Sequence, residues 1–398
     1  NGWKLETGMP SVSYMAAVHW LENIIKTTTP EDAYRLLDAA KKVNPSQDEW
    51  DTRIECLEAA VLWQAQEWNS QSNLRKLLAL DASVFFEHIQ DNPKSHDFDE
   101  RAMKNLISEM EKMKGLSKPS PFYAILLMDG DSLGSHMSNT NKQEHISKSL
   151  DKFTHAAPEI VEKHNGFLIY AGGDDVLAIL PLEDAIPCAA SVRELYLKSF
   201  EGTGIPTTIS AAIEFAHVKM PLGKVLGDSH HLLDDIAKEG AGRDALAVRV
   251  WKQSGMALEW AQPWEIVIQN GEIQIDKIAK DFVKNDEAVG NGNFSNKFFF
   301  KIRERFDLLN PAKEGDDAIL NGKEAIELLA VDYVNSADNR EKVSIEQAHS
   351  IIKPLLEQCR AVKRSLDESD SNKWERSHVL KADAALLVRF LIQKGVER

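Results

Sequence analysis

Apolar positions change period several times along this chain, and each change marks an element. An unbroken apolar run, Phe122 to Met128, stops at Asp129-Gly130-Asp131 and reads as a buried strand. Ile146, Leu150, Phe153, Ala157, Ile160 and Val161 then recur at helical spacing between Gln143 and Lys163. Two further apolar runs, Phe167–Ala171 and Val176–Leu180, flank Gly172-Gly173-Asp174-Asp175, a pattern that predicts a tight hairpin with two carboxylates at its tip. Helical spacing returns from about Leu182 to Phe200. From Thr207 to Ala216, Ile209, Ala211, Ile213 and Phe215 alternate with Thr208, Ser210, Ala212 and Glu214, the period of a half-buried strand. A helix from about Leu222 to Lys238 and a strand from Asp244 to Trp251 complete a β-α-β-β-α-β-α-β order.

The first six of these elements describe a ferredoxin-like sheet, in which the first strand lies beside the second strand of the hairpin. The hairpin turn then falls at the end where the first strand finishes, so Asp129 should meet Asp174 and Asp175. The fold class is α+β. This central unit is expected over residues 117–255, between a helical domain over 1–116 and a C-terminal helical domain over 256–398. Leu116-Ser-Lys-Pro-Ser-Pro121 reads as the first linker because its two prolines exclude helix. A second linker is expected near Asn310 to Asp317, and a polar loop over Leu366 to Asn372 before a last amphipathic helix. The N-terminal part is rich in tryptophan, with Trp3, Trp20, Trp50, Trp63 and Trp68, which suits core or interface packing.

Three or four acids delivered from two chain segments suit a two-metal phosphoryl-transfer site. Carboxylate oxygens with no accompanying Cys or His cluster favour Mg²⁺ or Mn²⁺ over zinc. Asp129, Asp174 and Asp175 are the candidate metal ligands and catalytic residues. In Asp129-Gly130-Asp131-Ser132-Leu133-Gly134 the glycines would let backbone N–H groups approach a triphosphate. Gly130, Asp131, Ser132, Gly134, Gly172 and Gly173 therefore form the candidate nucleotide-contacting set, joined by Lys238 on a last helical turn and Arg243 just beyond it. Both cations also suit a helix C-terminus through the dipole alone. His96-Asp97 lies in a polar stretch near Pro93 and reads as solvated loop. Cys56, Cys188 and Cys359 are too far apart in sequence for a zinc knuckle or a disulfide framework. No apolar stretch approaches the ~20 residues of a bilayer span, which predicts a cytoplasmic protein with no membrane partner. The formal net charge of −15 disfavours non-specific binding of nucleic acid, so RNA contacts should be local or supplied by neighbouring subunits.

Taken together, the strand ending in Asp129-Gly130-Asp131, the Gly172-Gly173-Asp174-Asp175 hairpin, Ala216-His-Val-Lys-Met-Pro-Leu222 and the Ala237-Lys238 to Gly242-Arg243 ending resemble the catalytic palm of the large subunit of type III CRISPR effector complexes, and most of all its III-B (Cmr) branch. The resemblance covers roughly Ser117 to Trp251 and extends more loosely to Gly8–Trp20 and to a helical tail around Trp374 to Leu391. It implies a palm related to GGDEF nucleotide cyclases and to polymerases, which converts ATP into cyclic oligoadenylate messengers for antiviral defence when the complex engages target RNA. It also implies other protein subunits, guide RNA and target RNA as partners. Asp129 falls on that family's first metal-binding position, and Asp174 and Asp175 on the paired acids of its hairpin. The family's HD nuclease module, first palm domain and cysteine zinc site are not visible, and the opening Asn1-Gly2 is compatible with the C-terminal half of a longer protein. Two other readings stay open. One is a stand-alone diguanylate cyclase using GTP, although Asp175 stands where that class has Glu. The other is a non-enzymatic scaffold with a relic palm and helical flanks that dock neighbours.

Overall fold

The computed structural model describes residues 9–44, 54–67, 78–113, 117–138, 140–289, 294–311, 320, 322–336, 343–364 and 374–395. Trp3, Trp50, Trp68, most of the second linker and the Leu366–Asn372 loop lie outside these residues. At the N-terminal side, α1 (Val12–Thr27) starts where the Ser11 hydroxyl accepts from the Tyr14 N–H, and α2 (Pro30–Val43) starts on Thr29 with Pro30 in its first turn. Helices α3 (Glu55–Glu67) and α4 (Glu100–Lys112) follow, the latter capped by Asp99. Trp20 of α1 is buried, whereas Trp63 is 49% exposed. His96 and Asp97 are exposed on a short turn.

The central sheet has the order β2-β3-β1-β4-β5-β6, built from β1 (Phe122–Asp131), β2 (Phe167–Gly172), β3 (Asp175–Pro181), β4 (Thr208–His217), β5 (Ala245–Lys252) and β6 (Gly255–Pro263). As expected of the ferredoxin-like order, β1 lies antiparallel between β3 and β4, and β4 runs parallel to β5. The sheet also takes up β6, so the boundary expected after residue 255 falls at the start of a strand of the same sheet. Helices α5 (Thr140–Lys163) and α6 (Ala185–Phe200) cover one face, packing Phe153, Val161, Val192 and Tyr196 on Ala124, Leu126 and Met128. On the other face Tyr123, Ile125 and Ile179 meet the N-terminal helices, and Leu127, Ala212 and Ala247 meet the segment after α7 (Leu222–His231). Each large apolar side chain so enclosed contributes about 1.5–3 kcal/mol.

Because both faces are covered, β4 is not the half-buried strand its alternation suggests: Ser210 and Glu214 are fully buried. Such groups need partners. Ser210 donates to Asp131, while Glu214 lies 3.5 Å from Arg249, whose side chain is 4% exposed and also pairs with Asp228 and Glu259. The helix expected to run from Leu222 to Lys238 gives way after His231 to a π-helix, Leu232–Gly240.

The C-terminal region contributes α8 (Gln274–Val289), α9 (Phe294–Leu309), α10 (Gly322–Asn335), α11 (Ile345–Gln358) and α12 (Asp383–Gln393). Its apolar residues Phe282, Phe298, Tyr333 and Phe390 join the same core as Phe215 and Val250 of the sheet. It is not wholly helical. Trp374–Leu380, expected within a helical tail, is instead strand β8, paired antiparallel with β7 (Arg360–Arg364). This hairpin lies on Gly242 (φ +86°), where a Cβ would stand 2.4 Å from the Arg364 carbonyl oxygen. Arg364 and Arg193 both donate to buried Asp244, whose N–H donates in turn to Asp131.

Three carboxylates around one buried guanidinium carry a pH dependence. Burial pushes the Glu214 carboxyl up to about 9, with Arg249 opposing and Asp228 reinforcing the shift. The folded chain therefore holds a proton that the unfolded chain releases above its ordinary value near 4.5, so this group's contribution to stability is complete below that value and is lost as pH rises toward 9. Glu214→Gln keeps the shape without the charge. Calorimetry between about pH 6 and 8 should show a melting temperature that falls less steeply in the variant, the difference amounting to up to about 1.4 kcal/mol per pH unit. Parallel curves for the two proteins would exclude a protonated Glu214.

Candidate active site at the hairpin turn

The β1–β3 register runs from Tyr123↔Pro181 to Met128↔Val176. One further step sets Asp129 opposite Asp175. The hairpin closes through the Gly172↔Asp175 pair with only Gly173 and Asp174 between them, and Gly173 takes φ +66°, the sign that the first central position of a type II′ loop requires. Asp174 folds over Gly130. A Cβ at residue 130 would lie 2.5 Å from Asp174 Oδ2 and 2.7 Å from the Tyr196 hydroxyl, so only glycine leaves room for that carboxylate. The outcome is that Asp129, Asp174 and Asp175 each place a carboxylate oxygen within 4.8 Å of the others.

Lys238 reaches this cluster from the π-helix. It is ion-paired with Asp129 and lies 3.9 Å from Asp234, one turn earlier on the same helix. Burial pushes the Asp175 carboxyl up to about 7, helped by its hydrogen bond with Asp129 and by the charges of Asp129 and Asp174, against Lys238. Burial, and then the charge of Asp129, raises Asp174 as well. Three acids thus share one ammonium, and the site is short of positive charge. Its donors are all carboxylate oxygens, which fit hard divalent cations such as Mg²⁺ or Mn²⁺ rather than zinc. All three acids are partly exposed, so a solvent-borne ligand can reach them.

The remaining expected contacts divide. Asp131 is 2% exposed, and its carboxylate accepts from Thr208 (2.8 Å), from Ser210 (2.9 and 3.0 Å) and from the Asp244 N–H (3.0 Å). It is a structural anchor inside the sheet, which corrects the expectation that it faces a nucleotide. Gly172 lies under the ring end of Tyr170, whose hydroxyl a Cβ there would meet at 2.1 Å, and that exposed side chain is free to move aside. Ser132 (φ +62°) and Gly134 are exposed at the short helix Leu133–Met137, and no atom crowds Gly134. Arg243 turns the chain with φ +65°, its N–H donating to the Lys238 carbonyl at 3.0 Å. Two neighbours of the site were not expected: Asp234, and Tyr196, whose hydroxyl bonds with Thr207 at 3.1 Å. Tyr196 sits on the apolar stripe of its helix, and only its hydroxyl distinguishes it from a core residue.

Residues 122–247 match the family model of the Cas10/Cmr2 second palm domain. The chain is 30% identical over 297 residues to the CRISPR system Cmr subunit Cmr2 of Pyrococcus furiosus, covering 66% of this chain and 32% of that protein. A Cmr2 of Saccharolobus solfataricus is 28% identical over 125 residues, 26% of this chain and 11% of the relative. Among solved structures, a chain of the type III-B Cmr-beta complex in its apo state superposes with TM-score 0.58 at 16% identity, over 98% of this chain and 47% of that one. The same complex bound to cognate target RNA gives 0.57 at 16% identity, over 98% of this chain and 48% of its counterpart. The chain spans about a third of the Pyrococcus furiosus relative and less than half of the structural counterparts. Residues 122–247 are thus similar to the second palm domain of Cas10/Cmr2 proteins, and the chain around them shares the fold of the Cmr-beta chains.

Proposed function

We propose that the chain is the nucleotide-polymerising part of a type III-B effector complex, in which Asp129, Asp174 and Asp175 hold divalent cations and ATP is converted into cyclic oligoadenylates or related adenylylated products when target RNA is bound. The observation that carries this reading is the convergence of three carboxylates from β1 and the β2–β3 turn on one solvent-accessible point with a single lysine beside them. Other subunits of the complex, its guide RNA and target RNA are the expected partners; the similarity to a Cmr subunit and to a Cmr-beta complex bound to cognate target RNA supports the protein and target-RNA part of that assignment.

The chemistry needs no side-chain nucleophile. The oxygen of a 3′-hydroxyl bonds to the α-phosphorus of a second ATP, the bond from that phosphorus to the bridging oxygen of pyrophosphate breaks, and the hydroxyl proton leaves to solvent. Bound Mg²⁺ or Mn²⁺ would supply charge neutralisation of the triphosphate and of the entering oxygen. Asp129, Asp174 and Asp175 would hold it, and Lys238, ion-paired with Asp129 at the edge of the cluster, is placed to contact a phosphate oxygen of the nucleotide. Gly130 keeps the Asp174 carboxylate in the cluster.

Three outcomes follow. With the assembled complex, ATP, Mg²⁺ and target RNA, mass spectrometry should detect adenylate products that Asp174→Ala with Asp175→Ala reduces to background; unchanged product would refute the site, and preference for GTP would favour a diguanylate cyclase. Mn²⁺ binding by calorimetry should strengthen as pH rises through about 7, because proton and metal compete for the Asp175 carboxylate. Finally, Gly130→Ala should weaken Mn²⁺ binding by about 10- to 100-fold by displacing Asp174, the scale typical of disturbed ligand positioning; undiminished affinity would show that Asp174 is not a ligand.

A further inference from the structure

Where the N-terminal helices meet the palm, a second group of metal-binding side chains converges that the acid cluster does not use. His19 and Glu22 stand one turn apart on α1, with Nδ1 of the ring 2.8 Å from Glu22 Oε2. Cys56 enters from the first turn of α3. One ligand atom from each of His19, Glu22 and Cys56 lies within 4.8 Å of the other two. The other ring nitrogen, Nε2, is 2.6 Å from Asp184 Oδ2, next to α6 of the palm. Asp184 is itself fixed by the Asn165 side-chain amide at 3.1 Å, and the Asn165 carbonyl accepts from the Cys56 N–H at 2.8 Å.

This is the arrangement of a histidine metal ligand with its outer partner in place. A ring that donates Nε2–H to a carboxylate is held in one tautomer and one orientation, with Nδ1 directed at the remaining donors. Here those donors are a carboxylate and a thiol. Imidazole, thiolate and carboxylate together form the donor set of zinc-class cations, and their mixed softness disfavours Mg²⁺. His19 and Glu22 are 23% and 17% exposed, and both line a cavity of about 1050 Å³ between the N-terminal helices, the palm and the C-terminal helices. An ion can therefore enter, and water from the cavity can complete a tetrahedral set. Lys26 pairs with the other Glu22 oxygen, Oε1, at 2.6 Å and leaves Oε2 to the site.

We infer that His19, Glu22 and Cys56 bind one zinc-class divalent cation, with Asp184 as the positioning residue for the imidazole. The ligands come from two N-terminal helices and the positioning residue from the palm, so the bound ion would clip the two together. Without metal the ring lies between two carboxylates, Glu22 at Nδ1 and Asp184 at Nε2, and donates to both; binding exchanges the Nδ1 proton and the Cys56 thiol proton for the metal, and no oxidant or reductant is involved.

The test uses the full chain, stripped by chelator and titrated with Co²⁺ or Zn²⁺ in excess Mg²⁺, which occupies the acid cluster. Co²⁺ should bind at one equivalent with thiolate-to-cobalt charge-transfer absorption, and Zn²⁺ should raise the melting temperature. Cys56→Ser should abolish the absorption. Asp184→Asn should retain it while weakening Zn²⁺ affinity by about 10- to 100-fold. Absence of the thiolate band in the unsubstituted chain, or Zn²⁺ affinity equal in Cys56→Ser, would overturn the assignment and leave a hydrogen-bonded ion network only. Because Cys188 and Cys359 are buried elsewhere, the absorption reports on Cys56 alone.

Discussion

The site depends on one constraint, the antiparallel register between β1 and β3. With Met128 opposite Val176, the next residues on the two strands are Asp129 and Asp175, and both must point to the same face of the sheet. A slip of one residue would turn Asp175 to the opposite face and bury it against α5 and α6. The register is fixed by apolar pairs on both faces, Leu126 and Ala178 on one, Leu127 and Leu177 on the other. Packing that has nothing to do with catalysis therefore sets the distance between two mutually repelling carboxylates.

Two buried acids at this end of the sheet follow a second rule, that a buried charge is met by hydrogen bonds. Asp131 and Asp244 lie beside each other in the core, yet Asp131 is saturated by hydroxyl and amide donors and Asp244 by two arginines. Arg364 brings the C-terminal hairpin into this arrangement, so the region after the palm is tied to the sheet by ion pairs as well as by shared core. Asp131 is thus occupied by the fold just two residues from Asp129, which remains partly exposed. The difference lies in neighbours: Thr208 and Ser210 of β4 supply hydroxyls to Asp131, whereas beyond Asp129 the sheet offers another acid.

Much of this was legible in the sequence. Apolar period alone placed β1 to β5, and the hairpin tip announced the three acids because a turn and a strand end share one edge of a ferredoxin-like sheet. Asp131 was misread because Asp-Gly-Asp looks like a strand stop, although β1 continues through it to pair with Thr208. Strand β6 lies in the stretch from 256 expected to be helical, beginning at Gly255 where the central unit was expected to end. Its Leu258 and Trp260 nonetheless alternate with Ala257 and Glu259. Strand β8 carries Glu375, Arg376, Ser377 and His378, so pairing rather than apolar pattern defines it. A π-helix leaves no mark on composition, since it changes which carbonyl each N–H finds and not which residues are present. The His19–Glu22–Cys56 group was invisible for a simpler reason: only folding brings Cys56 beside α1.

The π-helix completes the electrostatic logic of the acid site. A wider turn between His231 and Gly240 alters the angular position of Lys238 relative to a continued α-helix, and the side chain ends on Asp129 rather than in solvent. One ammonium against three carboxylates leaves the cluster with two uncompensated charges when all are ionised, and burial with mutual repulsion answers by holding a proton on Asp175 near neutral pH. A divalent cation satisfies the same demand better than a proton, because it neutralises two charges and can be shared among three donors. The π-helix thus supplies the one ammonium that the cluster is shown to have, and supplies it on the strand-end acid, Asp129, that both hairpin acids face.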